Sequence, residues 1–147
     1  MIRHVWTVAC IHAVVDQESN LLSLLDVIEQ ITIPGTPAPN KAIGITLDLT
    51  SLWVREDPDV PEQGHARVRF VSPSGNELKS IQTNVDLSEH ERLRSRGRFV
   101  GLPAPEAGRF TFRVDLANEG TEEWNEVALI PIRIVFIEQA EPSVIGG

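Results

Sequence analysis

Apolar and polar residues alternate along most of this chain, in short runs separated by clusters of Pro, Gly, Asn and Asp. The clearest run begins at Ile43. One side of it is apolar, with Ile43, Ile45, Leu47 and Leu49, and the other side is small or polar, with Gly44, Thr46, Asp48 and Thr50. An acidic loop, REDPDVPEQG, ends this run. Because alternation with a period of two is typical of a strand with one buried face, the pattern predicts an all-β protein.

A second pair of alternating runs predicts a hairpin. Residues 66–70 and 81–87 each carry apolar side chains on one face, and residues 73–76 between them have the composition of a tight turn. The last strand is predicted over residues 126–137, with apolar side chains on both faces. Because Pro131 lacks a backbone N–H donor, we expect an edge position or a bulge at that point.

One segment fits two interpretations. Its apolar residues follow a helical stripe behind a cap at Ser19 and Asn20 as well as they follow a strand: Leu21, Leu22, Leu24, Leu25, Ile28 and Ile31. The shortness of the stripe, its β-branched end and the following Pro34 argue against the helix. Periodicity alone leaves both structures open.

Length and composition indicate one folded domain. The chain has 147 residues, 41% of them hydrophobic, which is enough to bury a core without disulfides or metals. It has no internal repeat or linker, so we expect a single domain over residues 1–147. The predicted architecture is a two-sheet antiparallel β-sandwich, immunoglobulin-like or C2-like, of about seven or eight strands.

Charge and cysteine content restrict the expected binding partners and the expected cellular compartment. The net charge of −8 repels polyanions, so we do not expect binding to nucleic acid or to anionic membranes. Cys10 is the single cysteine, which favours a soluble protein of the reducing cytoplasm. The apolar N-terminal stretch is interrupted by His4 and His12 and is interpreted as the first strand, not as a signal peptide. No run reaches the ~18 apolar residues that a membrane-spanning helix needs.

Six arginines form the most distinctive candidate site: Arg92, Arg94, Arg96, Arg98, Arg109 and Arg113. The first four occupy even positions of one predicted strand, and the prolines of residues 103–107 predict a tight turn into the next strand. The implied register pairs Arg98 with Thr111, Arg96 with Arg113 and Arg94 with Asp115. It also puts four apolar residues together on the core side: Leu93, Phe99, Phe110 and Phe112.

This register predicts a cationic sheet face on an acidic protein. One interpretation is a solvated face whose charges are balanced by Asp115 and nearby acidic loops. The other is a surface that binds a phosphate-bearing ligand or an acidic partner, since clustered arginines repel one another unless anions intervene.

The sequence gives less support for catalysis or metal binding by the residues of the first strand. On a regular first strand, His4, Cys10 and His12 share one face with Trp6, but strand residues two apart are separated by about 7 Å, too far for a base to activate the thiol. No spacing typical of a metal site occurs. We expect a buried structural cysteine, no catalytic residue, and no metal or other cofactor.

Two further groups also favour structural roles. One loop is acidic but lacks the regular ligand spacing of a calcium site, so we expect it to be solvated: Glu56, Asp57, Asp59 and Glu62. The tryptophans offer a possible platform for sugars: Trp6, Trp53 and Trp124. Because Trp53 and Trp124 continue the apolar side of their strands, we expect them in the core or at its rim.

Three stretches together carry a family resemblance: VDQESNLLSLLDVIEQITIPGTPAP, RVRFVSPSGNEL and FVGLPAPEAGRFTFRVDL. The chain resembles a family of small uncharacterised bacterial proteins made of one β-sandwich domain, over most of its length from Ala9 to Phe136. The resemblance implies a bacterial origin and a strand for the ambiguous segment at residues 21–31. It implies no catalytic or ligand residues.

The sequence therefore favours a non-enzymatic module that acts through protein–protein contact, as a homodimer or an accessory subunit. Apolar residues on both faces of the last strand and in residues 21–33 motivate this hypothesis, because uncovered apolar area usually marks an interface. An anion-binding module on the arginine face is the alternative. An enzyme using Cys10 or His12 comes third.

Overall fold

The computed structural model describes residues 1–138 and contains nine strands in that range: β1 (Ile2–Val15), β2 (Leu22–Val27), β3 (Gln30–Pro34), β4 (Leu47–Arg55), β5 (Glu62–Val71), β6 (Glu77–Leu87), β7 (Arg92–Phe99), β8 (Gly108–Asn118) and β9 (Asn125–Ile137). Sheet A has the strand order β2-β1-β4-β7, and sheet B has the order β3-β9-β8-β5-β6. The prediction of an all-β protein with two sheets is confirmed. Residues 139–147 of the predicted domain lie outside the described residues. Between residues 1 and 138 we find no helix with the length and hydrophobicity that a bilayer crossing requires.

Several predicted strands occur where the alternation placed them. β5 and β6 form an antiparallel hairpin in which Val68 lies opposite Ile81. β9 covers the predicted last strand, and it pairs with β3 only from Arg133 onward. At Pro131, therefore, β9 has β8 on one side and no other strand from the described part of the chain, as the missing N–H donor predicts.

The ambiguous segment is two strands that belong to different sheets. β2 pairs with β1 in sheet A, whereas β3 pairs with β9 in sheet B and runs parallel to it. Asp26 has a φ of 57° at the end of β2, a left-handed conformation that redirects the chain. Ile28, Ile31 and Ile33 then enter the core at 7–8% exposure. The expectation of purely antiparallel sheets is corrected by the β3–β9 pair.

The run that begins at Ile43 becomes a strand later than predicted. β4 starts at Leu47, while Ile43 is buried and its N–H donates to the carbonyl oxygen of Leu102 at 2.7 Å. An isolated bridge joins Ala42 to Pro103 next to this contact. The alternation therefore identified Ile43, Leu47 and Leu49 as buried, but it was wrong for Ile45, which is 37% exposed, and for Asp48 and Thr50, which are buried on the other face.

Apolar side chains from both sheets pack together in the core. Four phenylalanines form its centre, with ring centroids 4.8–5.2 Å apart: Phe70, Phe99, Phe110 and Phe112. Phe99 comes from sheet A and Phe112 from sheet B, so this cluster holds the sheets to each other. A second cluster surrounds the fully buried Trp53, which confirms the predicted core position of that residue.

Candidate functional site

The predicted pairing of the two arginine-bearing strands is wrong. β7 pairs with β4 in sheet A, whereas β8 pairs with β5 and β9 in sheet B. Leu102 and Ala104, in the connection between β7 and β8, are fully buried, so this segment crosses the core and does not form a tight surface turn. The burial of apolar residues between β7 and β8 places these strands in different sheets. The prolines of residues 103–107 were not sufficient to predict this topology.

The six predicted arginines consequently lie on two separate sheets. The even-numbered arginines of β7 share the outer face of sheet A, opposite the even-numbered residues of β4. Arg109 and Arg113 lie on the outer face of sheet B. A single cationic surface built from all six arginines is therefore not formed.

Asp48 pairs with two of the arginines on sheet A. Its carboxylate is 2% exposed and accepts hydrogen bonds from Arg96 Nη2 at 2.6 Å and from Arg98 Nε at 3.2 Å. Burial by itself would raise the pKa of Asp48, but the hydrogen bonds and positive charges of Arg96 and Arg98 outweigh it and hold the pKa below its usual value. Asp48 was not predicted from the sequence as the partner of these arginines, although a lone carboxylate within an apolar strand was the available signal.

The other two arginines of β7 border a groove on the outer face of sheet A. The groove has a volume of about 660 Å³, and its lining includes Trp6, Leu22, Leu24, Leu52, Arg92 and Arg94. Arg94 Nη2 donates a 2.7 Å hydrogen bond to the backbone carbonyl oxygen of Asn20, in the turn between β1 and β2. This turn therefore lies against β7, although β2 and β7 are the two ends of the strand order.

Sheet B carries its own set of arginines, three of which the sequence analysis did not single out: Arg67, Arg69 and Arg133. Arg67 and Arg69 both donate through Nε to the buried Asp115 carboxylate, at 2.8 and 2.9 Å. Arg109 lies directly opposite Arg133, and neither has a carboxylate within 4.0 Å among residues 1–138. Because directly opposed like charges destabilise a sheet, repulsion between these two arginines lowers the stability of sheet B.

The predicted grouping of the residues of β1 on one face is wrong for His4, whereas Trp6 and Cys10 do share the outer face, opposite Leu52 and Asp48. A bulge between His4 and Trp6 places His4 opposite Trp53 on the core side and Trp6 opposite Leu52 on the outer side. Cys10 is fully buried, and burial, reinforced by Asp48, raises the pKa of its thiol. The thiol is accordingly in the protonated, weakly nucleophilic form.

His4 belongs to a polar chain inside the fold. Its Nε2 lies 2.7 Å from Thr7 Oγ1, which lies 2.7 Å from Ser51 Oγ, and its ring contacts Trp53 edge-on. Burial lowers the pKa of His4, so the ring is neutral near pH 7. Each group is satisfied by its neighbour, which describes a structural network.

The acidic loop and Trp124 are the remaining candidates from the sequence. In the acidic loop, Asp57 Oδ1 accepts the Asp59 N–H at 3.0 Å, and no group of three metal-ligating side chains occurs within residues 1–138. Trp124 is half-buried at the outer face of sheet B, with the Arg67 guanidinium 4.4 Å from its ring centroid.

Within residues 1–138, the β2 edge is the least protected edge of either sheet. β7 carries four arginines, β6 is largely polar, and the five-residue β3 ends in Pro34, all of which hinder strand addition. β2 carries one charged residue, Asp26, and leaves Leu25 and Val27 50% and 56% exposed. Val14 on β1, opposite Ser23 and diagonal to Leu25, is 53% exposed, so β1 adds a further exposed apolar side chain to the hairpin.

Comparison with known proteins assigns no family. No protein-family model matches the sequence, and no curated protein matches it. Among solved structures, the chain is similar to part of a family 123 glycoside hydrolase from Clostridium perfringens, with a TM-score of 0.39, 8% identity, and coverage of 80% of this chain and 24% of that one. It is also similar to the N-terminal domain of PorA, with a TM-score of 0.27, 16% identity, and coverage of 89% and 97% respectively. The chain thus spans about a quarter of the hydrolase, and neither likeness carries an argument about function.

Proposed function

We propose that this protein is a non-enzymatic interaction module that associates with a second copy of itself through the β2 edge. The observation that carries the proposal is the unprotected edge strand with exposed Leu25 and Val27, since unpaired backbone N–H and C=O groups beside apolar side chains favour strand addition. We further infer an immunoglobulin-like or C2-like β-sandwich that works in the bacterial cytoplasm, which the buried, unpaired Cys10 supports.

A two-fold axis beside β2 satisfies the requirements of such a pairing. Antiparallel β2 strands from two copies would extend sheet A across the axis, and each copy would contribute the same apolar residues. With the axis near Leu24 or Leu25, Asp26 lies opposite an uncharged residue and never opposite its own copy. Exposed apolar area on both hairpins is then removed from water.

Charges flanking the strand set the salt dependence of association. Asp16 and Glu18 lie in the turn before β2, and Glu29 follows it. In an antiparallel pair, the turn of one copy approaches the end of β2 in the other, which brings these carboxylates near one another. Because salt screens this repulsion, we expect tighter association at higher ionic strength.

Light scattering over a range of about 1 to 200 µM protein tests the proposal. We expect a monomer–dimer equilibrium that shifts toward dimer as NaCl is raised, and a monomer for the double variant Leu25→Lys and Val27→Lys. Leu129→Lys is the matched control, because Leu129 is 53% exposed on sheet B and its replacement leaves the β2 edge intact. A wild-type protein that stays monomeric at the highest concentration and salt would overturn the proposal, as would equal loss of dimer in the control.

A further inference from the structure

We propose that the groove on sheet A binds an amphipathic organic anion, a carboxylate with an extended apolar body. This site extends beyond the β2 edge, from which it takes only Leu22 and Leu24: the groove uses the outer face of sheet A, with arginines of β7 at one side. Its volume of about 660 Å³ falls within the range of small-molecule sites.

The polarity of the groove changes steadily across three strands. Trp6 on β1 lies opposite Leu52 on β4, and Leu52 lies opposite Arg94 on β7. These three side chains therefore form one row that is apolar at one end and cationic at the other. Two strand spacings separate its ends, about 10 Å. Leu22 and Leu24 add apolar surface from the β1–β2 hairpin.

At the cationic end, the arginines have N–H donors available to bind an anion. Arg94 is held in place by the carbonyl oxygen of Asn20, which uses one of its five N–H donors and leaves the others available. Arg92 lies two residues away on the same face, and neither arginine has a carboxylate within 4.0 Å in the part of the chain that the structure describes.

The other charged groups at this end leave the arginines dominant. Glu91 contributes one carboxylate and His90 an imidazole, so the groove keeps a positive balance on a chain whose net charge is −8. A carboxylate at Arg92 and Arg94 gains charge-assisted hydrogen bonds, while an apolar body of about 10 Å covers Leu52 and Trp6. An inorganic anion would leave the apolar row exposed, and a neutral apolar molecule would leave the arginines unpaired.

Calorimetric titration with matched pairs of ligands tests the inference. The probes are octanoate against octan-1-ol, and 4-phenylbutyrate against 4-phenylbutan-1-ol, so that aliphatic and aromatic bodies are compared at equal charge. We expect each carboxylate to bind at least about tenfold more tightly than its alcohol, because hydrogen bonds to charged groups contribute that much. We also expect carboxylate binding to change the fluorescence of wild-type protein more than that of Trp6→Phe.

Two double variants separate this site from general charge effects. Arg92→Gln with Arg94→Gln should weaken carboxylate binding about tenfold or more and leave alcohol binding unchanged. The control is Arg109→Gln with Arg133→Gln, which removes the same charge from two arginines on sheet B that, among residues 1–138, also have no carboxylate within 4.0 Å. Equal binding of alcohols and carboxylates, equal weakening by both double variants, or no binding at millimolar ligand would each overturn the inference.

Discussion

Asp48 provides the sharpest test of what stabilises sheet A. Its carboxylate is 2% exposed and accepts hydrogen bonds from Arg96 and Arg98, whose side chains are 45% and 61% exposed. Hydrogen bonds to charged groups contribute about 1.5–3 kcal/mol each, but half-exposed arginines recover part of this from water once the carboxylate is removed. We therefore expect Asp48→Ala to lower the free energy of unfolding by about 2–4 kcal/mol, a large part of the total for a domain of this size.

The assay is urea unfolding followed by tryptophan fluorescence, with Asp59→Ala as the control, since Asp59 is an exposed loop residue. A double-mutant cycle between Asp48→Ala and Arg96→Ala isolates the pair, and we expect a coupling free energy of about 1–2 kcal/mol. A loss below about 0.5 kcal/mol for Asp48→Ala would refute the reasoning, because it would equate this buried carboxylate with an exposed ion pair.

The same carboxylate predicts a pH dependence. Because the pKa of Asp48 in the folded protein lies below its ordinary value of 3.8, its contribution is complete above that value and is lost as pH falls through the folded pKa. As the pH falls below about 4, wild-type stability should therefore fall more steeply than that of Asp48→Asn. Parallel stability curves for the two proteins would contradict the assigned role.

Three further predictions concern other parts of the molecule. Gly64→Ala should destabilise the protein by about 2 kcal/mol or more in urea unfolding, because a Cβ at that position would lie 2.7 Å from the carbonyl oxygen of Ala117. Arg133→Glu should raise the free energy of unfolding by about 0.2–1 kcal/mol, because it replaces the like-charged pair with Arg109 by an opposite-charged one; an unchanged or lower stability would count against that repulsion. Cys10 should react with a thiol reagent at pH 7 orders of magnitude more slowly in the folded protein than in urea, since it is fully buried with a raised pKa; rapid labelling of the native protein would contradict this burial.

The local pattern of apolar and polar residues was sufficient to predict many of the strands. Alternation in residues 66–70 and 81–87, with turn chemistry between them, determined the β5–β6 hairpin, because adjacent strands joined by a short turn pair with each other at small entropic cost. Runs rich in apolar residues, at the N-terminus and at residues 126–137, also identified the long first and last strands. Pro131 correctly marked a point where β9 lacks a partner strand on one side.

What only the tertiary structure decided is which distant segments meet. The burial of Leu102 and Ala104 sends the chain from β7 across the core to β8, and a φ of 57° at Asp26 precedes the passage from β2 in sheet A to β3 in sheet B. Alternation specifies which side of a strand is buried but is the same for any partner strand. The arginines of β7 were therefore recognisable as one face from the sequence, whereas the pairing of Arg96 and Arg98 with Asp48 depended on a contact 48 to 50 residues away.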